Sequence, residues 1–585
     1  MNNPKKSSPE KRFESMHKQL AVARGDQPAE LLLKNGRVVN VISGEISESN
    51  VAIAGGVITG VGKQFIEAEV VIDLDGQYLV PGLIDAHLHV ESTLLLPHEL
   101  GRIIICHGTT AVINDPHEIA NVLGPSGVQL ILDASEAGPC NFFATVPSSV
   151  PSTNLETAGG KLNAEQVAEF LEHPRVVGLG EMMNYPGVIS GDYEVLAKIS
   201  AAKNAGKVID GHAPSVSGSD LQAYLAAGVT TDHECVTYEE AREKLNSGMR
   251  IIIRHGSATS SLAELLPLVN QANSDSFMFG SDDREAGELL EKGHVNEILR
   301  EAVSLGGDPL TMVKIASLNA ARHYHLFDRG AVAPGYRADL AVFEDLANFR
   351  SSLVIKDGQE VARNGLTTVS CSCLKLPDQA LKSVKLAKVL KAEDFILRYP
   401  PGKAPVIGVV EGQLITEKLE LDVQRLEDGS VPASNIAGIS KIAVVERHGK
   451  NGNIAVGLIR GFGLDRGALA SSVGHDSHNI IVTGTTEQAM ASAVNELARV
   501  GGGFVVVDQG GFVKACLPLQ VAGLMSTETA ETVAEKMHAI LAAARELGTN
   551  LPQPFLTLAF MALPVIPSLK ITDRGLVDVD NFTFL

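Results

Sequence analysis

VPGLIDAHLHVEST, Val80–Thr93, runs from apolar residues into four polar ones, Asp85, His87, His89 and Glu91, each two positions from the next. Side chains two apart on a β-strand share a face, so the run predicts a buried strand whose polar end gathers on one side. Two imidazoles at i and i+2 have the spacing to meet one metal ion. A His-x-His pair on a solvent face is the bland alternative, and the apolar VPGLID before it argues for burial. Asp85 is expected to orient one of the histidine rings by a hydrogen bond.

Outward from this run, apolar strand candidates alternate with Ala-, Leu- and Glu-rich helical stretches from Val80 to about Phe327. They are LVPGLIDAHLH, GTTAVINDPHE, CNFFATVPSS, VVGLGEMMN, KVIDGHAP, GVTTDHEC, RIIIRHGS and FMFGSDD. Eight βα units on a parallel sheet predict an α/β fold, a closed (β/α)8 TIM-like barrel. The C-terminal ends of barrel strands converge on one mouth, so polar residues placed there are candidates for a site. Asp115, His117 and Glu118 follow the second strand, although Pro116 makes turn or capping roles an alternative for them. Glu181 ends the fourth strand, where a buried carboxylate needs a paired charge or a metal. His212, His233 and Asp282 each stand just past a later strand.

Singly these are ordinary rim residues. Together, His87, His89, Glu181, His212, His233 and Asp282 form a nitrogen and oxygen ligand set sized for two divalent cations, with a carboxylate available to bridge. Such cations lower the pKa of a bound water, which points to hydrolysis, and Asp282 is placed to act as base and then acid. His255, in IIIRHGS, is a candidate substrate contact or a cap. Asp283 is expected to point away from the mouth if its strand persists, leaving Asp282 alone there.

The flanks read differently. Residues 1–27 predict an N-terminal helical extension. Residues 28–79 and 328–384 both show short β-branched runs between Gly, Asn and Ser turns, and together predict one small β-sandwich domain built from both sides of the barrel, 80–327. Residues 385–585 mix strands and helices and are long enough for an additional C-terminal α+β domain.

With 585 residues, 45% of them hydrophobic, the chain exceeds what one hydrophobic core usually holds. Its formal net charge of −20 argues against a nucleic acid or an anionic membrane as partner, since no basic field is available to neutralise phosphates. The six cysteines, Cys106, Cys140, Cys235, Cys371, Cys373 and Cys516, include no CxxC pair. Neither a disulfide framework nor a zinc knuckle is expected, and reduced thiols suit the cytoplasm. Neither a secretory leader nor an uninterrupted apolar run of about 18 residues is found. A homo-oligomer, as a dimer, is the expected assembly.

VPGLIDAHLHVES, INDPHEIANV, GLGEMMN, IDGHAPSVSG, TTDHECVT, FGSDDR and SSVGHDSHNIIVTG resemble the amidohydrolase superfamily, in particular its bacterial adenine deaminases. The resemblance spans nearly the whole chain. It implies His87 and His89 on one metal, Glu181 bridging, His212 and His233 on the second, and Asp282 as ligand and proton shuttle. The implied reaction, part of purine salvage, converts adenine and water to hypoxanthine and ammonia. Asp115, His117 and Glu118, with Glu91, are the candidates for protonating the ring, and Glu91, Glu118 and His255 for contacting substrate. Mn2+ or Fe2+ is expected, with Zn2+ as an alternative that His and carboxylate ligands also accept.

Rival readings are another metal-dependent amidohydrolase, opening a cyclic amide or an N-acetyl group, and a non-catalytic scaffold of the same fold. Cyclic-amide members often bridge their metals with a carboxylated lysine, where this chain has Glu181. The other zinc deaminase fold needs H-x-E and then P-C-x-x-C; here Phe143 occupies the last Cys position, and that reading fails. The run containing His475, Asp476, His478 and Asn479 predicts either a cover over the mouth or a surface loop.

Overall fold

The computed structural model describes residues 9–257, 259–371, 374–433 and 438–585. The first eight residues of the expected N-terminal extension, and Cys373, lie outside the described residues. A helix, Pro9–Arg24, begins the described chain.

Eight parallel strands form the barrel: β1 (Leu83–Leu88), β2 (Thr109–Asn114), β3 (Asn141–Val146), β4 (Val176–Met182), β5 (Val208–Gly211), β6 (Thr231–Asp232), β7 (Arg250–Arg254) and β8 (Phe277–Gly280). β1 to β5 pair as one sheet and β6 to β8 as another. At one seam Asp282 N–H donates to the His87 carbonyl at 2.9 Å, and at the other Thr230 N–H donates to the Ile209 carbonyl at 2.9 Å. The β-branched, Ala- and Met-containing strands bury both faces, as parallel strands under helices do. Ile84, Ala86, Ile113, Val177, Ile252 and Met278 fill the interior with Tyr324, whose hydroxyl shares its one proton between the Ala86 carbonyl at 2.8 Å and Asp210 Oδ2 at 2.9 Å.

The expected strand LVPGLIDAHLH is two strands. Tyr78–Pro81 pairs antiparallel with Leu340–Phe343 and parallel with Ala29–Asn40, inside a nine-stranded sheet drawn from both flanks. That sheet therefore continues past residue 79. At Gly82 the chain changes partners: Gly82 N–H donates to the Asp339 carbonyl at 2.8 Å and Leu83 N–H to the Gly108 carbonyl at 3.0 Å. A Cβ at Gly82 would come within 2.2 Å of Thr110 Oγ1, so the switch requires glycine.

The C-terminal segment builds an eight-stranded, mainly antiparallel sheet between Lys403 and Pro518, with helices Glu487–Val500 and Ala530–Glu546. Its Leu469, Ile481, Phe504 and Val506 share one apolar cluster with Leu88, Leu95, Leu100 and Ile104 of the barrel. Polar ties reinforce the contact. Asp573 accepts the Thr157 N–H at 2.9 Å and its hydroxyl at 2.7 Å, and Thr572 Oγ1 donates to the Leu155 carbonyl at 2.7 Å. Among the described residues no helix is long and apolar enough to cross a membrane.

Candidate metal-dependent active site

Glu181 sits at the end of β4, with its two carboxylate oxygens facing different histidines. Oε1 lies 3.1 Å from His117 Nδ1 and 3.4 Å from His89 Nε2; Oε2 lies 2.8 Å from His212 Nδ1 and 3.2 Å from His233 Nε2. The strand alone does not hold this arrangement. Asp115 Oδ2 accepts the Glu181 N–H at 2.8 Å, and it reaches that position because Gly180 has no Cβ, which would stand 2.1 Å from Asp115 Oδ2.

His87 lies deeper, its ring stacked on His233 at 4.1 Å and edge-on to His89 at 4.8 Å. Burial pushes its pKa well below the ordinary value, and the neighbouring His233 and His89 push it further, so the ring is neutral. Its buried Nε2 has no hydrogen-bond partner among the described residues and faces Asp282 Oδ1 at 3.9 Å. An orphaned imidazole nitrogen beside carboxylates suits a cation. Ligand atoms of His87, His89 and Asp282, and those of His87, Glu181 and His233, lie within 4.8 Å of one another in each set.

Asp282 follows β8 with φ of 55°, a left-handed conformation unusual outside glycine. Its Oδ1 is 3.2 Å from His89 Nε2 and its Oδ2 is 2.6 Å from Arg254 Nη1. Burial opposes ionisation, but the Arg254 guanidinium and the surrounding histidines outweigh it and hold the carboxyl well below its usual pKa. These groups open into a cavity of about 440 Å³, whose lining joins His89, His117, Glu181, His212, His233 and Asp282 to Ile415, His475, Asp476, Phe560 and Ile566 of the C-terminal segment. The barrel supplies most of the polar lining and the C-terminal segment most of the apolar wall, a mixed enclosure of the kind that holds a small molecule.

A family model described as "Adenine deaminase C-terminal domain" matches residues 413–583, and one described as "Amidohydrolase family" matches residues 78–361. Adenine deaminase of Desulfatibacillum aliphaticivorans is 48% identical over 566 residues, covering 97% of this chain and 98% of that protein. Adenine deaminase 2 of Carboxydothermus hydrogenoformans is 46% identical, covering 96% and 97%. The chain belongs to the adenine deaminase family. Amidohydrolases are a metal-dependent family, and the donor set described above fits that dependence. The part matched as the adenine deaminase C-terminal domain is the part that brings Ile415, His475, Asp476 and Phe560 to the cavity.

Not every expected site residue reaches the cavity of this adenine deaminase family member. Glu118 and His117 line it; Asp115 and His87 lie beneath its lining residues. Glu91 sits in a short 3-10 turn, Glu91–Thr93, after β1 and accepts the Ile119 N–H at 3.0 Å, capping the helix His117–Leu123. Burial pushes its pKa up to about 7. His255 turns away, to Ser260 Oγ at 2.8 Å and Glu301 Oε2 at 3.3 Å. Asp85 does not share the face of His87 and His89, because the pairing of β1 with β2 shifts register between Asp85 and Leu88. It orients backbone and not a ligand ring, accepting the N–H groups of His87 and Ser281 at 3.1 Å and meeting His294 Nε2 at 2.9 Å.

Asp283 was expected to point away from the mouth, and it lines the cavity beside Asp282. Strand β8 ends at Gly280 and the positive φ of Asp282 breaks the alternation on which that expectation rested.

Two charged cavity residues escaped the sequence reading. Arg254 and Glu234 form an ion pair at 2.5 Å, with Glu234 Oε1 also 3.4 Å from His233 Nε2. Strand parity contained the signal for Arg254. Ile252 faces the barrel interior and Ile253 the outer layer, so Arg254 follows the inward side and His255 the outward one.

Proposed function

We propose that the protein hydrolyses adenine to hypoxanthine and ammonia. The observation that carries this reading is the position of Glu181. Its two oxygens divide four imidazoles into two groups, at the floor of a cavity completed by the C-terminal segment.

His87, His89, Glu181, His212, His233 and Asp282 would hold two divalent cations, Mn2+ or Fe2+ in preference to Zn2+. Cations held there supply a Lewis acid that lowers the pKa of water toward neutrality. Everything else falls to the chain's own side chains. Arg254 keeps Asp282 ionised at Oδ2 and leaves Oδ1 toward the histidines, so Asp282 can take a proton from the attacking water and return it to the amine leaving C6. Asp115 fixes the Glu181 backbone, and His117, 3.1 Å from Glu181 and 3.4 Å from Glu118 Oε1, connects the hydrolytic floor to the cavity wall. Phe560, Leu563, Val565 and Ile566 exclude water around the ring.

The test is ammonia release from adenine by protein loaded with Mn2+, compared with Asp282→Asn. A loss of about 10²–10⁴ in kcat is expected for the variant. Metal-loaded wild type that leaves adenine unchanged while hydrolysing a cyclic amide or an N-acetylated sugar would overturn the assignment.

A further inference from the structure

The run His475–Asn479 is a cavity wall, and Glu118 of the barrel reaches across to it. His478 Nδ1 accepts the Gly474 N–H at 3.2 Å, so the proton of that neutral ring is on Nε2, which donates to Glu118 Oε2. The other oxygen, Oε1, lies 2.6 Å from His475 Nδ1. Both carboxylate oxygens of Glu118 are thus engaged by the C-terminal segment, and Glu118 acts on His475.

The His475 ring is held on two sides. Nδ1 is anchored on Glu118, and one face stacks on Phe560 with centroids 4.7 Å apart and planes 16° from parallel. The edge left is Nε2, for which the described residues supply no hydrogen-bond partner, on a residue that stands between the catalytic cavity and a neighbouring one lined by Leu94, Phe504 and Phe555. Burial disfavours charge on this ring, but Glu118, with Asp283 and Asp476, outweighs it and raises the pKa to about 9. Nε2 is therefore a donor at neutral pH.

We propose that His475 Nε2 donates a hydrogen bond to a ring nitrogen of the purine, with Glu118 and His478 as positioning residues. This rests on the adenine reading above. The C-terminal segment then contributes recognition of the base as well as a wall. Adenine offers acceptors at N1, N3 and N7, and a site built to donate to one of them discriminates against a ring in which CH replaces that nitrogen.

The test combines two His475 variants with three inhibitors. His475→Phe keeps a flat ring against Phe560 and removes the donor; His475→Gln keeps a donor near the position of Nε2. We expect kcat/KM for adenine to fall about 10–100-fold in His475→Phe and less in His475→Gln. Inhibition constants of 1-deaza-, 3-deaza- and 7-deazaadenine are then compared between wild type and variant. The analogue lacking the contacted nitrogen should bind both proteins within about 2-fold, while the other two lose affinity by the factor seen for adenine. An equal loss for all three, or no loss for any, overturns the proposal.

If His475→Phe fails to fold, Glu118→Gln, which loosens the Nδ1 anchor, should give the same pattern at smaller amplitude, and a uniform loss counts against the idea. Wild type releasing no ammonia from adenine refutes the functional reading instead. Wild-type activity with an indifferent His475→Phe refutes only the recognition role.

Discussion

Arg254 Nη1 lies 2.6 Å from Asp282 Oδ2 and 2.5 Å from Glu234 Oε1, so one buried guanidinium joins two carboxylates of the cavity wall. Arg254→Leu leaves both without their cation, and breaking a buried pair in this way costs about 3–5 kcal/mol. Loss of the guanidinium also removes the largest of the groups that hold the Asp282 pKa down, leaving only His89 and His233 to do so. The acid limb of kcat/KM should therefore move to higher pH, because in the proposed reaction Asp282 must be ionised to accept a proton. Denaturant melts and pH profiles of Arg254→Leu and Arg254→Lys check both statements; an unmoved acid limb in Arg254→Leu would separate Asp282 from that limb.

Metal removal gives a second prediction. Chelation should abolish ammonia release, and added Mn2+ should restore it in wild type but not in a His87→Ala, His233→Ala protein. Because cations held by the proposed ligands would tie β1, β4, β5, β6 and the end of β8 together, the melting temperature of the chelated protein should also fall. A chelated protein with full activity would contradict the metal reading of Glu181 and its histidines.

Asp573 accepts two hydrogen bonds from Thr157 and one from Asn453 Nδ2 at 3.0 Å. In Asp573→Ala these half-buried donors lose a buried partner, at about 1 kcal/mol. The KM for adenine should rise as well, because the same interface places His475 and Phe560 over the cavity. Chemical denaturation together with steady-state kinetics tests this; a destabilised protein with unchanged KM would confine Asp573 to stability.

Lys570 is buried and donates to the carbonyls of Leu414, at 2.7 Å, and Phe560, at 3.0 Å, two segments that line the cavity. Burial lowers its pKa to about 7. Between that value and the ordinary lysine pKa near 10.5 the unfolded chain binds more protons than the folded one, so this residue makes stability rise with pH across that window. Below pH 7 both states are protonated and its contribution is flat. Thermal melts of Lys570→Met from pH 7 to 10 should therefore rise less steeply than those of wild type; parallel curves would refute the low pKa.

Gly82 is the point where the chain passes from the flanking sheet to the barrel. Gly82→Val drives its side chain into Thr110, and overpacking of this kind costs about 1–3 kcal/mol. The urea midpoint measures it, and an unchanged midpoint would show that Thr110 yields.

The barrel was legible because each strand carries a short β-branched run and ends in a polar group, and period-2 spacing survives folding where a strand stays regular. His87, His89, Glu181, His212, His233 and Asp282 were legible for the same reason. Parity failed where the backbone left regularity. A register shift after Asp85 turned it from the face of His87, and the left-handed conformation of Asp282 brought Asp283 into the cavity. His255 is a strand-end residue, but inward and outward alternation along β7 brings Arg254, not His255, to the cavity.

By itself the chain of residues determined the barrel, the six converging donors and the family, since those are local patterns repeated at strand ends. Only the tertiary structure decided that Glu118 meets His475 and His478 across 357 and 360 positions of sequence, that Arg254 joins Asp282 to Glu234, and that Glu91 caps a helix. Such contacts join residues far apart in sequence, within the barrel or between it and the C-terminal segment, and no local period encodes them.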